Sequence, residues 1–74
     1  MTTSHTQHVA AAVRAEAARH RVSQRDIADR LGLTQAAVWR RMRGDVPFTA
    51  SELVEVARLL EVAPAALLPS EPAA

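Results

Sequence analysis

Apolar residues recur at intervals of three and four along most of this chain, the spacing that places side chains on one face of a helix. The N-terminal stretch follows this pattern from Ser4 or Thr6, either of which can cap a helix, to about residue 20. Its inward stripe is Val9, Val13 and Ala17. The pattern therefore predicts a first helix with one buried face and a polar remainder.

The segment SQRDIADRLG, residues 23–32, carries the signals of a second, shorter helix. Ser23 can cap its start, and Asp26 stands three residues later, as in a capping box. Gly32 follows the last apolar residue, where a helix end often requires left-handed backbone. The residues that share its apolar face are Ile27, Ala28 and Leu31. We therefore predict a helix over 24–31.

A third helix is predicted after Leu33, which we expect to point into the core. Thr34 can cap this helix and Gly44 can end it, so that it spans about 35–43. Its inward residues are Val38 and Met42. Two short helices joined by a tight glycine turn make a helix-turn-helix unit.

The segment GDVPFT, residues 44–49, predicts a loop, because Pro47 limits helix there, and Phe48 is expected to enter the core. Thr49 and Glu52 then form another capping box and begin a fourth helix that ends near residue 60. Its inward residues are Leu53, Val56, Ala57 and Leu60.

The C-terminal part is predicted to contain one more short helix. Pro64 suits the first turn of a helix that contains Leu67 and Leu68. The prolines at positions 69 and 72 are expected to end the ordered part of the chain. The predicted domain therefore spans 4–68, between a frayed N-terminus at 1–3 and a disordered tail at 69–74.

The outward face of the predicted third helix is polar and basic. It carries Gln35, Ala36, Trp39, Arg40 and Arg43. Arg and Gln can each make paired hydrogen bonds to base edges, and a small Ala allows close approach. This face suits a polyanion, and we interpret the unit as DNA-binding. For Trp39, at the border of the face, we predict a DNA contact, with packing against neighbouring helices as the alternative.

Charge is separated along the chain, although the total is only +1. Residues 14–43 contain eight arginines and three acids, a net charge of +5, whereas residues 45–74 contain one arginine and five acids, a net charge of −4. This asymmetry favours a nucleic-acid face on the helix-turn-helix side and an acidic, outward-facing rear. Every basic side chain is Arg, which favours bidentate contacts, although a GC-rich genome produces the same bias.

Other classes of function have little support in the sequence. There is no cysteine, which excludes disulfides and thiolate chemistry. The histidines, at positions 5, 8 and 20, include an H-x-x-H spacing, but without a clustered carboxylate we interpret them as surface residues and expect no metal. No phosphate-binding glycine loop and no run of roughly 20 apolar residues is present. We therefore expect a cytoplasmic protein that is not an enzyme and has no cofactor, small-molecule ligand or membrane segment.

From Ser23 onward the chain resembles the Cro and phage-repressor type of helix-turn-helix, the XRE-like or lambda-repressor-like family. The matching positions are Ser23, Gln24, Ile27, Ala28, Leu31, Gly32, Thr34, Val38 and Gly44. The resemblance continues through the cap Thr49 and the apolar helix to the VAP and LL sequences near the end. It implies an all-α fold, a compact five-helix lambda-repressor-like DNA-binding domain with a central helix-turn-helix at 23–44.

The resemblance also implies roles for individual residues. Those expected to face bases are Gln35, Ala36, Trp39 and Arg40. Those expected at the DNA backbone are Gln24, Arg25, Thr34, Arg43 and Gly44. Those that either close the core or form a contact between two copies are Val62, Leu67 and Leu68.

The sequence departs from the family pattern at Arg41 and Met42, where an apolar residue followed by Glu is common. We therefore predict that the usual buried charge pair with the first helix is missing. Met42 is expected to fill that space with apolar packing. Arg41 is expected to extend outward along its stem.

The main hypothesis is a sequence-specific double-stranded DNA-binding transcriptional regulator, a phage or prophage Cro-like protein or small repressor. It occludes a promoter by placing helix 34–43 in the major groove, and it binds an inverted-repeat operator as a homodimer. One alternative is an antitoxin-type regulator of a toxin–antitoxin pair. Another is a protein-interaction helical bundle without DNA readout, in which Trp39 is a protein contact.

Overall fold

The computed structural model describes residues 4–69, which form four α-helices and one 3-10 turn. The elements are α1 (His5–His20), α2 (Gln24–Leu31), α3 (Gln35–Arg43), α4 (Ala50–Leu60) and the 3-10 turn (Pro64–Leu67). Residues 4–69 contain no strand, so the all-α prediction is confirmed. The five-helix prediction is not confirmed, because the last element is a single 3-10 turn of four residues that ends before Leu68. The predicted frayed N-terminus at 1–3 and, apart from Pro69, the predicted tail at 69–74 lie outside the described residues.

Each α-helix begins at a hydroxyl side chain that accepts a hydrogen bond from a backbone N–H three residues later. These caps are Ser4, Ser23, Thr34 and Thr49. At the start of α2 and α4 the bonding is reciprocal, because the carboxylates of Asp26 and Glu52 accept the backbone N–H of the cap residue at 3.0 and 2.9 Å. Local capping therefore sets these helix starts, and the predicted bounds of α2 and α3 are confirmed.

The four α-helices also end alike, with a residue in left-handed backbone. Gly32 and Gly44 take this conformation after α2 and α3, as their type predicts. Arg21 and Glu61 take it after α1 and α4, with φ of 56° and 58°. The backbone N–H of each of these four residues returns to a carbonyl in the last turn of its helix, so the ends are satisfied locally.

The core is almost entirely aliphatic, and Phe48 from the loop before α4 is its aromatic member. The predicted inward stripes of all four helices enter it, although Leu31 and Leu53 are only partly buried. α1 packs against α3, α4 and the 3-10 turn, and α2 packs against α3 and α4. No polar side chain is buried within residues 4–69. The helix-turn-helix of α2 and α3 is therefore held from behind by α1 and α4.

Candidate nucleic-acid interface

α3 presents one face to the core and one to solvent. Val38 and Met42 are buried among the core residues. The residues exposed on the other face are Gln35, Ala36, Trp39, Arg40 and Arg43. The structure thus leaves the four predicted base-facing residues accessible, and their contact with DNA stays a prediction.

The residues predicted at the DNA backbone lie at the starts of α2 and α3 and at the end of α3. Gln24 and Arg25 are exposed in the first turn of α2. Thr34 is exposed as well, and its Oγ1 accepts the Ala37 N–H at 3.1 Å. The hydroxyl hydrogen of Thr34 remains available as a donor.

Gly44 differs from the other predicted backbone contacts. Its N–H already donates to the Arg41 carbonyl at 3.1 Å, so this donor is not available to a phosphate. A Cβ built on Gly44 would lie 3.2 Å from Cγ of Gln7 in α1. The position is therefore explained by the close approach of α1, which the sequence alone did not indicate.

Trp39 and Arg43, one turn apart on α3, form a stack on the exposed face. Cζ of Arg43 lies 4.5 Å from the centroid of the Trp39 ring. Nε of Arg43 also lies 3.4 Å from Oδ2 of Asp45. Trp39 remains 47% exposed and belongs neither to the core nor to the partly buried residues packed against it. The i, i+4 spacing was the sequence signal for this pair.

Arg41 does not extend outward, so that prediction was wrong. Its Nε donates to Oε1 of Glu52 at 3.0 Å, its Nη1 donates to the Ala37 carbonyl at 3.1 Å, and its side chain is only 17% exposed. Glu52 is available because the capping box of α4 holds its carboxylate at the start of that helix. Arg41 therefore joins α3 to α4.

Arg14 of α1 holds the end of α3 from the opposite side. Its Nη1 donates to the carbonyl oxygen of Met42, one of the last carbonyls of α3. These carbonyls lack partners within a helix and carry the negative end of its dipole, so a guanidinium is favourable there. Residues 4–69 contain no ion pair between α1 and α3. Met42 is buried, with 6% of its surface exposed, as its predicted apolar role requires.

The charge pattern needs one correction. Glu52 and Glu55 do not form an outward-facing acidic rear, because they pair with Arg41 and Arg30 of the helix-turn-helix, each at 3.0 Å. Within the described residues, three arginines have no ion pair or hydrogen bond through the side chain. These are Arg21, Arg25 and Arg40. Their positive charge, like that of Arg14, has no acidic partner within residues 4–69.

At the start of α2 the local hydrogen bonds shift the pKa of a carboxylate. The pKa of Asp26 lies below its usual 3.8 because its carboxylate accepts the backbone N–H of Ser23 and, secondarily, interacts with the Ser23 hydroxyl. The nearby charge of Arg25 acts in the same direction. The ionised form is thus the one that caps the helix.

Of the three residues predicted for a contact between copies, Leu67 is excluded. It is fully buried in the core of its own chain, and Val62 packs half-buried against that core. Leu68 remains 46% exposed, and Val54 of α4 is 38% exposed. Both line a shallow apolar depression together with Pro64.

Residues 4–69 contain neither a cluster of metal ligands nor a helix that could span a membrane. Residues 4–69 hold no group of three or more His, Cys, Asp or Glu side chains placed to bind a metal ion. Within the same range, each helix is too short or too polar to cross a bilayer.

The chain is similar to known proteins in sequence pattern and in fold. The sequence model of the BetR domain matches residues 4–74. No curated protein matches the sequence significantly. Among solved structures, the crystal structure of the DNA-binding domain of BldD is similar, with a TM-score of 0.74 and 24% sequence identity. The similarity covers 93% of this chain and 100% of that one, so the two share a fold.

Proposed function

Because this chain belongs to the BetR domain family, which its match over residues 4–74 shows, we propose that it is a sequence-specific regulator that binds double-stranded DNA. The observation that supports this proposal best is the exposed face of α3, with Gln35 and an unpaired Arg40 on a helix anchored by α1 and α4. The solved domain of similar fold is itself named as DNA-binding.

The dimensions of α3 suit the major groove. An α-helix with its side chains is about 10–12 Å in diameter, and the major groove is about 12 Å wide. With α3 in the groove, Gln35 and Arg40 contact base edges, to which their side chains can make paired hydrogen bonds. Arg25 and Arg43, at the flanks, contact phosphates. We propose that the protein is a Cro-like repressor, which acts by occluding a promoter.

We further propose that it binds an inverted-repeat operator as a homodimer. One recognition helix reads only a few base pairs, whereas two helices about 34 Å apart read two half-sites on one side of the duplex. Leu68 and Val54 offer an exposed apolar surface for a contact between copies.

The first experiment selects binding sites from a random duplex pool and compares variants on the selected site. We expect Arg40→Ala to lose about 1–3 kcal/mol of binding free energy and to relax specificity at one base pair. Arg43→Ala is expected to weaken binding to all sequences alike and to reduce the salt slope by about one unit. Arg58→Ala, on α4 and paired with Glu55, is the matched control.

The outcomes separate the alternatives. Equal effects of Arg40→Ala and Arg43→Ala on specificity contradict the division between base and phosphate contacts. If no sequence is enriched and the protein binds no duplex at low salt, the proposed function is contradicted. That result favours the hypothesis of a protein-interaction helical bundle.

A further inference from the structure

The stacked pair on the exposed face of α3 carries a more specific inference, which rests on the proposed function. We infer that Trp39 is a positioning residue for Arg43 and does not itself read bases. Its ring is the platform on which the Arg43 guanidinium is held for contact with a DNA phosphate.

The geometry assigns each side of the Arg43 guanidinium a different neighbour. Its Cζ lies over the Trp39 ring, 4.5 Å from the centroid. Its Nε edge points to Oδ2 of Asp45, 3.4 Å away, just beyond the end of α3. No hydrogen bond from residues 4–69 occupies Nη1 or Nη2. The terminal fork, which matches the geometry of a phosphate, is the part left open.

The stack also changes what Trp39 can do. One face of its ring is covered by Arg43, so that face is not available to a base or a thymine methyl group. An arginine has several rotatable bonds whose freedom is lost on binding, and the ring and Asp45 restrict that freedom beforehand. The contribution of Trp39 to DNA affinity therefore passes through Arg43.

The stack is tested first in the free protein, because Trp39 is the only tryptophan and the chain has no tyrosine. We expect Arg43→Ala to shift the tryptophan emission to longer wavelength, because the uncovered ring face becomes hydrated. Arg58→Ala, which removes an exposed arginine from α4, is expected to leave the emission unchanged. If the tryptophan emission spectrum of Arg43→Ala is identical to that of the wild type, the stacking of Arg43 on Trp39 is contradicted.

The role on DNA is tested by a double-mutant cycle on the selected site and on an unrelated duplex. Trp39→Leu is expected to weaken binding about threefold, and equally on both duplexes, whereas Trp39→Phe keeps an aromatic platform and loses less. In an Arg43→Ala background, Trp39→Leu is expected to cause no further loss. A loss confined to the selected site, or an undiminished loss in that background, shows that Trp39 contacts DNA itself and overturns the inference.

The two proposals fail in distinguishable ways. A wild-type protein that binds no duplex overturns the proposed function and, with it, the role of Trp39 on DNA. Specific binding with independent effects of Trp39 and Arg43 leaves the proposed function standing and overturns only the positioning role.

Discussion

Gly44 combines two constraints that Gly32 does not share. Both residues have left-handed backbone, with φ of +86° and +68°. A Cβ on Gly44 would lie 3.2 Å from Cγ and 3.3 Å from Cα of Gln7, whereas a Cβ on Gly32 would meet no atom within 4 Å. Gly44 therefore allows the end of α3 to approach α1 directly.

We predict that Gly32→Ala lowers the free energy of unfolding by about 1 kcal/mol, the cost of left-handed backbone alone. Gly44→Ala is expected to cost about 2 kcal/mol or more, because the added methyl group also crowds the backbone of α1. Urea unfolding of both variants measures the difference. Equal losses contradict the close approach.

Asp26 makes the start of α2 sensitive to acid. Its lowered pKa means that the folded state holds the ionised carboxylate more strongly than the unfolded chain does. The resulting stabilisation is present above the unfolded pKa, near 3.8, and is lost as the pH falls through the lower pKa of the folded state.

We therefore predict that Asp26→Asn lowers the melting temperature at neutral pH, and that the difference from the wild type shrinks as the pH falls below about 3.8. Melting curves between neutral and acidic pH measure this. Asp29→Asn, on the same helix, controls for the change in net charge. A difference that is constant at every pH contradicts the capping role of the ionised carboxylate.

At the scale of elements, one carboxylate joins α3 to α4. Oε1 of Glu52 accepts the Thr49 backbone N–H at 2.9 Å and Nε of Arg41 at 3.0 Å. The same atom therefore caps α4 and holds α3 beside it. Its side chain and that of Arg41 are 16% and 17% exposed, so solvent screens this pair less than a surface pair.

We predict that Glu52→Ala lowers the free energy of unfolding by about 2 kcal/mol, because it removes half of the capping box and the partner of Arg41. Thr49→Ala, which removes only the cap hydroxyl, is expected to cost about 1 kcal/mol. Denaturant unfolding of both variants compares the two losses. A larger loss for Thr49→Ala contradicts the linking role of Glu52.

The elements show what the sequence can predict. Capping residues and glycines act within four positions of themselves, so the bounds of α2 and α3 were readable from the sequence. Periodicity likewise predicted which face of α3 is exposed. The contact of Arg14 with Met42 spans 28 residues and that of Arg41 with Glu52 spans 11. These pairings depend on how the helices pack, which no local pattern specifies.

The last element shows a different limit. Pro64 correctly marked a helix start, but only four residues form the 3-10 turn. A turn this short places Leu67 in the core and leaves Leu68 exposed. The sequence showed two adjacent leucines and could not distinguish the one that closes the core from the one that faces solvent.

At the scale of the whole molecule, the exposed Leu68 allows the proposed dimer to be tested without loss of the fold. We predict that Leu68→Glu weakens binding to an inverted repeat by about a hundredfold, because it removes the avidity of the second copy. Binding to a single half-site is expected to be unchanged. Sedimentation and titration of both duplexes measure this.

Ala18→Glu, an exposed substitution of the same charge on α1, is the matched control. Equal losses on the repeat and the half-site, or a wild-type protein that binds the repeat as a monomer, contradict the dimer.

The local capping of every described α-helix also has a kinetic consequence. Each helix starts and ends with hydrogen bonds between residues close in the chain. The ends of the helices can therefore form before distant segments of the chain come into contact. Small helical domains rich in such short-range contacts refold in microseconds to milliseconds, and without cysteine this chain has no disulfide step to slow it. We expect a molecule built this way to regain its structure within a fraction of a second of being unfolded, unless one of its X-Pro bonds first has to isomerise.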